Sequence, residues 1–328
     1  MKVLFIGGTG NISTAVSRLA VERGVELYML NRGTRTIPGA KSIRGDISHA
    51  GELSSILKDH HWDVVVDWIA YVEGDVQRDY ELFKGKTEQY IFISSASAYQ
   101  RPASSPIVTE STPLANPFWQ YSRNKIACED KLMSHYRQDG FPITIVRPSH
   151  TYNNVIPVPV GGGAEYTTVD RIKQGKKIIV HGDGSSLWTL THADDFAKGF
   201  VGLLGHQQAI GQSFHITSDE VLTWDQIHYA IGEVLRCNVN IVHISSETLA
   251  FFNEEFRGSL IGDKATSVMF DNSKIKRYVP GFVATIPFTQ GIKRTLDWFE
   301  ADPARQIVKK ETNEWIDMVI SRYEKVFG

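Results

Sequence analysis

Residues 2–24 read KVLFIGGTGNISTAVSRLAVERG, and the order of features in them decides the fold. Val3 to Ile6 is a short unbroken apolar run, the pattern of a strand buried on both faces. Gly7, Gly8 and Gly10 follow, and then Ile12, Val16, Leu19 and Ala20 recur at helical spacing. A strand, a glycine turn and a helix in that order can hold the pyrophosphate of a dinucleotide. Gly7 permits the turn, Gly10 lets the backbone approach the anion, and the helix N-terminus offers free N–H groups and a partial positive charge. Thr9, Asn11 and Ile12 complete the candidate cradle. The third glycine of the usual fingerprint is Ser13 here, which predicts slightly looser packing of helix on strand and no lost phosphate contact. No Lys-Ser or Lys-Thr follows at P-loop spacing, so that alternative phosphate loop is excluded.

The next 130 or so residues repeat the alternation. Short β-branched runs at Glu26 to Leu30, Ser42 to Arg44, Val64 to Trp68, Tyr90 to Ser94 and Ile143 to Arg147 are separated by amphipathic stretches. This predicts an α/β protein with a Rossmann-type, doubly wound parallel sheet. Prolines and glycines crowd residues 157–163, and later strands such as Lys177 to Val180 and Ser213 to Ile216 are scattered. We therefore expect a dinucleotide-binding domain over residues 1–155, with returns near 190–218, and a smaller substrate lobe over 156–328. Helices are expected at Thr223 to Leu235, with Thr223 as N-cap, at Thr289 to Phe299, and from Ala301 through Phe327.

Composition narrows the function. The 328 residues are 42% hydrophobic and 22% charged with a net charge of -2, which fits a folded enzyme and offers no positive field for nucleic acid or anionic lipid. Cys128 and Cys237 lie in no metal-ligand spacing, and no apolar run is long enough to span a membrane. A cytoplasmic location without membrane contact is expected. His60 and His61 lack convergent further ligands, so no metal is predicted.

Where the second strand ends, about 20 residues past the glycine turn, an acidic residue would bind free ribose hydroxyls. Asn31 and Arg32 stand there instead. A guanidinium can pair with a 2′-phosphate, which predicts NAD(P) binding with a preference for NADP(H).

Five segments, GGTGNIS at 7–13, GDIS at 45–48, FISSASAY at 92–99, YSRNKIACE at 121–129 and IVRPSHTY at 145–152, together resemble the extended short-chain dehydrogenase/reductases, the NAD-dependent epimerase/dehydratase family. The resemblance covers nearly the whole chain. It implies that Ser95, Tyr121 and Lys125 are a catalytic triad, that Asp46 and Ile47 flank adenine, that Ala70 lines the cofactor and that Pro148 lies near nicotinamide. It also implies a homodimer paired through helices flanking the Tyr-Lys helix. Physically, Tyr121 and Lys125 are one helical turn apart and project from one face. A phenol with a pKa of about 10 is a poor base, and a close ammonium and an oxidised nicotinamide are both expected to favour the phenolate. Tyr80 and Lys84 have the same spacing with no serine-bearing strand end upstream, and we assign them to an exposed helix.

The segment GDGSSLWTLTHADDFAKGF at 182–200 departs from the family's nucleotide-sugar pattern. Asp194 and Asp195 match, but Trp188 replaces an arginine that contacts the nucleotide, and His150 replaces an asparagine that contacts substrate. Ser97, His150 and Trp188 are the substrate-side candidates, with packing as the alternative for Trp188 and a satisfied structural role favoured for His150. The expected activity is NAD(P)-dependent oxidoreduction, epimerisation or dehydration of a small hydroxyl- or carbonyl-bearing molecule. Nucleotide-sugar epimerisation is the alternative enzyme reading. A catalytically silent cofactor sensor or RNA-binding protein is the alternative of another class.

Overall fold

Val3, Leu4, Phe5 and Ile6 have no exposed surface in the computed structural model, which describes residues 1–58 and 60–327. They belong to β1 (Lys2–Ile6), which pairs in parallel with β2 (Glu26–Asn31) on one side and β4 (Val64–Asp67) on the other. Beyond these lie β3 (Lys41–Arg44), β5 (Tyr90–Ile93), a short β6 (Ile107–Val108) outside the main sheet, and β7 (Ile143–Val146). Four helices connect them: α1 (Ser13–Glu22), α2 (Ala50–Leu57), α3 (Glu73–Phe83) and α4 (Gln120–Asp139). The later strands are β8 (His150–Tyr152), β9 (Lys177–His181), β10 (Leu187–Trp188), β11 (Leu190–His192), β12 (Ser213–Phe214), β13 (Leu222–Thr223), β14 (Asn240–Ile244) and β15 (Met269–Phe270). Among them are α5 (Thr167–Lys173), α6 (Ala193–Leu203), α7 (Trp224–Leu235), α8 (Ser246–Phe252), α9 (Ser273–Tyr278), α10 (Phe288–Glu300) and α11 (Lys310–Phe327).

Seven strands form one parallel sheet in the order β12-β7-β5-β4-β1-β2-β3. From β1 the chain moves outward through β2 and β3, then returns to β4 and moves the other way. The connections therefore diverge between β1 and β4, and a crevice opens at their carboxyl ends. Ala15 and Val16 of α1 pack with Phe196 and Phe200 of α6 on one face. Leu53, Val76, Cys128 and Leu132 of α2, α3 and α4 cover the other. Coverage of both faces explains why the strands read as unbroken apolar runs. The expected α/β, Rossmann-type architecture is present. Trp68, Ser94 and Arg147, expected as last strand residues, each lie one position beyond the ladder.

A second core gathers Trp188, Trp224, Ile227, Ile292 and Leu296 around α7 and α10. Thr223 caps α7 reciprocally: its hydroxyl accepts from the Gln226 N–H at 3.1 Å, and Gln226 accepts from the Thr223 N–H at 2.8 Å. The terminal helix starts at Lys310, not Ala301. Asp302 accepts from the Ala304 N–H and Pro303 begins a separate 3₁₀ turn, so residues 301–309 form a connection. Ile316, Val319 and Ile320 of α11 then pack on Ile179, Leu249 and Leu260. Among the described residues no helix is long and apolar enough to cross a membrane.

Candidate active site

The glycine turn sits at the crevice. Gly7 and Gly8 have φ of +87° and +96°, left-handed values that side chains rarely adopt. A Cβ at Gly8 would stand 2.9 Å from Met29 Cε, so that position is also closed by packing. Helix α1 begins with no side-chain cap and no acidic residue in its first turn, which leaves its N-terminal end suited to an anion. Asn11 ties the turn to the end of β8, donating to the Thr151 carbonyl at 3.0 Å and accepting from the Asn153 N–H at 3.1 Å. Ser13 has a larger effect than expected. Its hydroxyl accepts from the Gly10 N–H at 2.9 Å, so that backbone donor is engaged within the turn.

A cleft of about 630 Å³ runs along this turn, lined at one end by Arg32 and Arg35 and at the other by Ser95, Tyr121, Lys125 and Pro148, with Gly7, Thr9, Gly10, Asn11 and Ile12 between. Asn31, Asp46, Ile47 and Ala70 are not in its lining. Asn31 holds the loop instead, accepting from the Gly33 N–H at 2.8 Å and donating to the Arg35 carbonyl at 3.3 Å. Asp46 accepts from the Ser48 N–H and hydroxyl, which lowers its pKa. Ile47 is buried in the core. Arg35, missed from the sequence, reaches the Thr9 carbonyl at 3.5 Å.

Ser95 stands two residues past the end of β5 and caps a 3₁₀ turn. Its hydroxyl lies 2.9 Å from that of Ser97, which in turn accepts from Ser122 at 2.8 Å. Tyr121 and Lys125 occupy the first turns of α4. Lys125 is 3% exposed and donates to the carbonyls of Ala70 at 2.7 Å and Ile93 at 2.8 Å. Ala70 thus contributes through its backbone. Burial lowers Lys125 to about 8. Burial also pushes Tyr121 up to about 12, opposed by its hydrogen bond with Ser95. The expectation that the ammonium would favour the phenolate is corrected here: Lys125 Nζ is 5.7 Å from the Tyr121 ring centre and directed to two carbonyls, so desolvation dominates. The other Tyr-Lys pair stays on the surface, where Lys84 donates to Tyr80 and to Asp139.

Behind Ser95 lies a buried ion pair. Arg147 donates to both oxygens of Glu129, at 2.9 and 2.6 Å, and Ser94 donates to the same carboxylate. Their side chains are 6% and 3% exposed. Glu129→Gln leaves Arg147 buried without a counter-charge and is expected to cost about 3–5 kcal/mol in urea unfolding. A loss within error of zero would show that the pair does not hold this region.

A second cavity of about 260 Å³ adjoins the cleft and shares Ser95, Tyr121, Pro148 and Ser149 with it. Its other walls include Ser97, Trp119, His150, Trp188, Asp263 and Lys264. All three substrate-side candidates therefore meet there. Trp188 packs on Trp224 with ring centres 5.7 Å apart, and its Nε1 has no partner among the described residues. His150 is not the satisfied histidine favoured from the sequence, because its buried Nδ1 also lacks a partner among the described residues. Burial pushes its pKa down to about 3, so it is neutral near pH 7. Asp195 is structural, accepting from the N–H groups of Thr285 and Ile286. His60 contacts Lys2 at 3.1 Å and His61 lies 3.3 Å from Glu88.

The sheet and cleft define a Rossmann-type dinucleotide-binding enzyme, and residues 3–217 match the profile of the NAD dependent epimerase/dehydratase family. The chain belongs to that family and is an NAD-dependent enzyme of the extended short-chain dehydrogenase type. It is 22% identical to the dTDP-D-glucose 4,6-dehydratase of Bos taurus across 91% of this chain and 88% of that protein. It is 28% identical to the chloroplast stem-loop binding protein of 41 kDa b of Arabidopsis thaliana over 71% of this chain, and it spans 62% of that relative's length. Among solved structures, UDP-glucuronic acid 4-epimerase from Bacillus cereus, in complex with UDP-glucuronic acid and NAD, superposes with a TM-score of 0.73 at 19% identity over 92% of this chain and 99% of that one.

Proposed function

We propose that Ser95, Tyr121 and Lys125 carry out proton exchange on a small hydroxyl- or carbonyl-bearing substrate, with NAD(P) in the adjoining cleft. The observation that carries this reading is the shared wall: Ser95 and Tyr121 line both the dinucleotide-sized cleft and the smaller cavity, so their hydroxyls stand at the junction. The nicotinamide, when bound, supplies or accepts hydride. Tyr121 gives or takes the proton of the substrate oxygen, and Ser95 hydrogen-bonds that oxygen. Lys125 is fixed by two carbonyls and places positive charge beneath the cofactor end of the site. In this reading residues 1–155, with the return through β12, hold the cofactor, and residues 156–328 provide most of the substrate side.

A silent protein has no use for the buried Lys125. Its burial lowers the pKa to about 8, a kind of perturbation that clusters at functional sites, and it stands in the cleft wall with Tyr121. This argues against the reading as a cofactor sensor or RNA-binding protein, although one relative is named as a stem-loop binding protein.

The NADP preference rests on Arg32 and Arg35 in the cleft lining, near Arg44, whose side chain is 3.8 Å from the Cβ position of Gly33. Titration by nicotinamide fluorescence tests it. NADPH is expected to bind more tightly than NADH, and Arg32→Ala to weaken NADPH about tenfold while leaving NADH unchanged. The preference fails if NADH binds at least as tightly and the substitution changes neither.

A further inference from the structure

Three aromatic rings stand around the Lys125 ammonium. Its Nζ lies 4.7 Å from the ring centre of Tyr71, 5.0 Å from that of Phe92 and 5.7 Å from that of Tyr121. The rings come from three directions: Tyr71 from the segment between β4 and α3, Phe92 from β5 and Tyr121 from α4. An aromatic face carries partial negative charge and attracts a cation, the more so where water is excluded.

The other groups near Nζ do little to hold its charge. Its two hydrogen bonds go to the neutral carbonyls of Ala70 and Ile93. The carboxylates of Asp67, Asp75 and Glu129 act on it only at a distance. Each of these already has a guanidinium: Arg78 lies 3.4 Å from Asp67 and 3.2 Å from Asp75, and Arg147 pairs with Glu129 at 2.6 Å. Burial, and after it the neighbouring Asp79, also push the Asp67 carboxyl well above the usual carboxylate range, so it offers less negative charge. The remaining titratable neighbours, Cys128 and Tyr121, are both pushed by burial up to about 12 and stay neutral near pH 7. A buried amine in such surroundings gives up its proton readily, and the aromatic faces oppose that loss.

Tyr71 is the ring whose position packing does not explain. Phe92 is a core residue with no exposed surface, and Tyr121 is the proton carrier of the reading above. Tyr71 is the nearest of the three, yet it is 49% exposed in the wall of the cofactor cleft. Its backbone is clamped there, since the N–H groups of Tyr71 and Val72 donate to Asp75 at 2.8 and 3.1 Å. A half-exposed ring gains less from burial than a core ring does, and the ammonium beneath it supplies the reason for the clamp.

We infer that Tyr71 is a positioning residue of the active site, whose π face keeps the Lys125 ammonium charged and in place beside the cofactor cleft. The inference rests on the reading of Lys125 given above.

NMR titration of the lysine Cε–Nζ signals in the cofactor-free protein tests it, with the Lys125 signal assigned by its absence in Lys125→Met. Tyr71→Leu and Tyr71→Met keep an apolar cover and remove the π face. Each should lower the Lys125 pKa by about half a unit to one and a half units. Tyr71→Phe keeps the face and removes only the hydroxyl, so it should restore the original value. NADPH affinity follows the same sign. It is full below the Lys125 pKa and weakens as pH rises through it, so the midpoint of that loss should move to lower pH in Tyr71→Leu and return in Tyr71→Phe. An unchanged Lys125 pKa in both Tyr71→Leu and Tyr71→Met would overturn the inference, as would a fall in Tyr71→Phe equal to theirs. The underlying reading fails separately, if Lys125→Met binds NADPH as tightly as the unaltered protein at pH 7.

Discussion

Tyr121→Phe should lower turnover by about 10²–10⁴-fold, the usual contribution of a positioned proton donor, and leave NADPH affinity unchanged. The substitution preserves the ring, which packs against Trp119 with centres 5.0 Å apart, and removes only the phenol. Burial holds that phenol at about 12, so near neutral pH it is protonated and can donate directly to an oxygen that gains negative charge as its carbon accepts hydride. The reverse direction needs the phenolate, and bound oxidised nicotinamide supplies positive charge that favours it. Single-turnover measurements with the cofactor bound isolate the chemical step. Full activity in Tyr121→Phe would falsify the assignment of the proton carrier.

The protein should also lose stability steeply in mild acid. His150, His181 and His228 surround the fully buried Trp224: His181 lies 4.8 Å and His150 6.3 Å from its ring, and His228 Nδ1 is 2.7 Å from its carbonyl. Burial depresses their pKa values to about 3, 4 and 4 for His150, His181 and His228. In the unfolded chain each returns to about 6.5. The folded state therefore binds fewer protons between these limits. The stability held by the neutral rings is complete above about pH 6.5 and falls as pH drops toward the folded values. Each group contributes up to ~1.4 kcal/mol per pH unit, so three give roughly 4 kcal/mol per unit near pH 5. Against a typical total of about 5–15 kcal/mol, unfolding should begin well above pH 4. Urea midpoints at a series of pH values from 7 to 5 measure this. A flat series would show that the three rings acquire protons without unfolding.

What could be read in advance follows the range of the interactions. The glycine turn, the buried strands and the capped α7 are set by neighbours a few residues apart, and their residues announce them. The Tyr-Lys pair that lines the cleft is separable in the sequence from the surface copy because Ser95 marks the strand end beside it. Side-chain engagement was not legible. Asn31 was placed in the cofactor site, yet its amide closes a loop, and Ser13 takes a backbone donor that its type alone does not reveal. The pair Asp263–Lys264 has no signal in the sequence, since it stands more than 130 residues from Tyr121 and reaches the cavity only through the packing of the π-helical segment Arg257–Lys264. The open Nδ1 of His150 leaves no mark in the sequence, because a histidine's hydrogen-bond partners depend on tertiary neighbours. Arg35 could have been found, lying three positions past Arg32 in the same loop.

Among the described residues, Ser95, Tyr121, Pro148 and Ser149 are the four common to the walls of the two cavities. The residues around Arg32 that line the cleft and those around Lys264 that line the smaller cavity lie on either side of that partition. Substitutions at separated sites with no shared partner combine additively. Changes at positions 188, 263 and 264, in the outer wall of the smaller cavity, are therefore expected to leave cofactor affinity unchanged. Changes within the partition touch both cavities at once, so divergence is channelled to the outer walls.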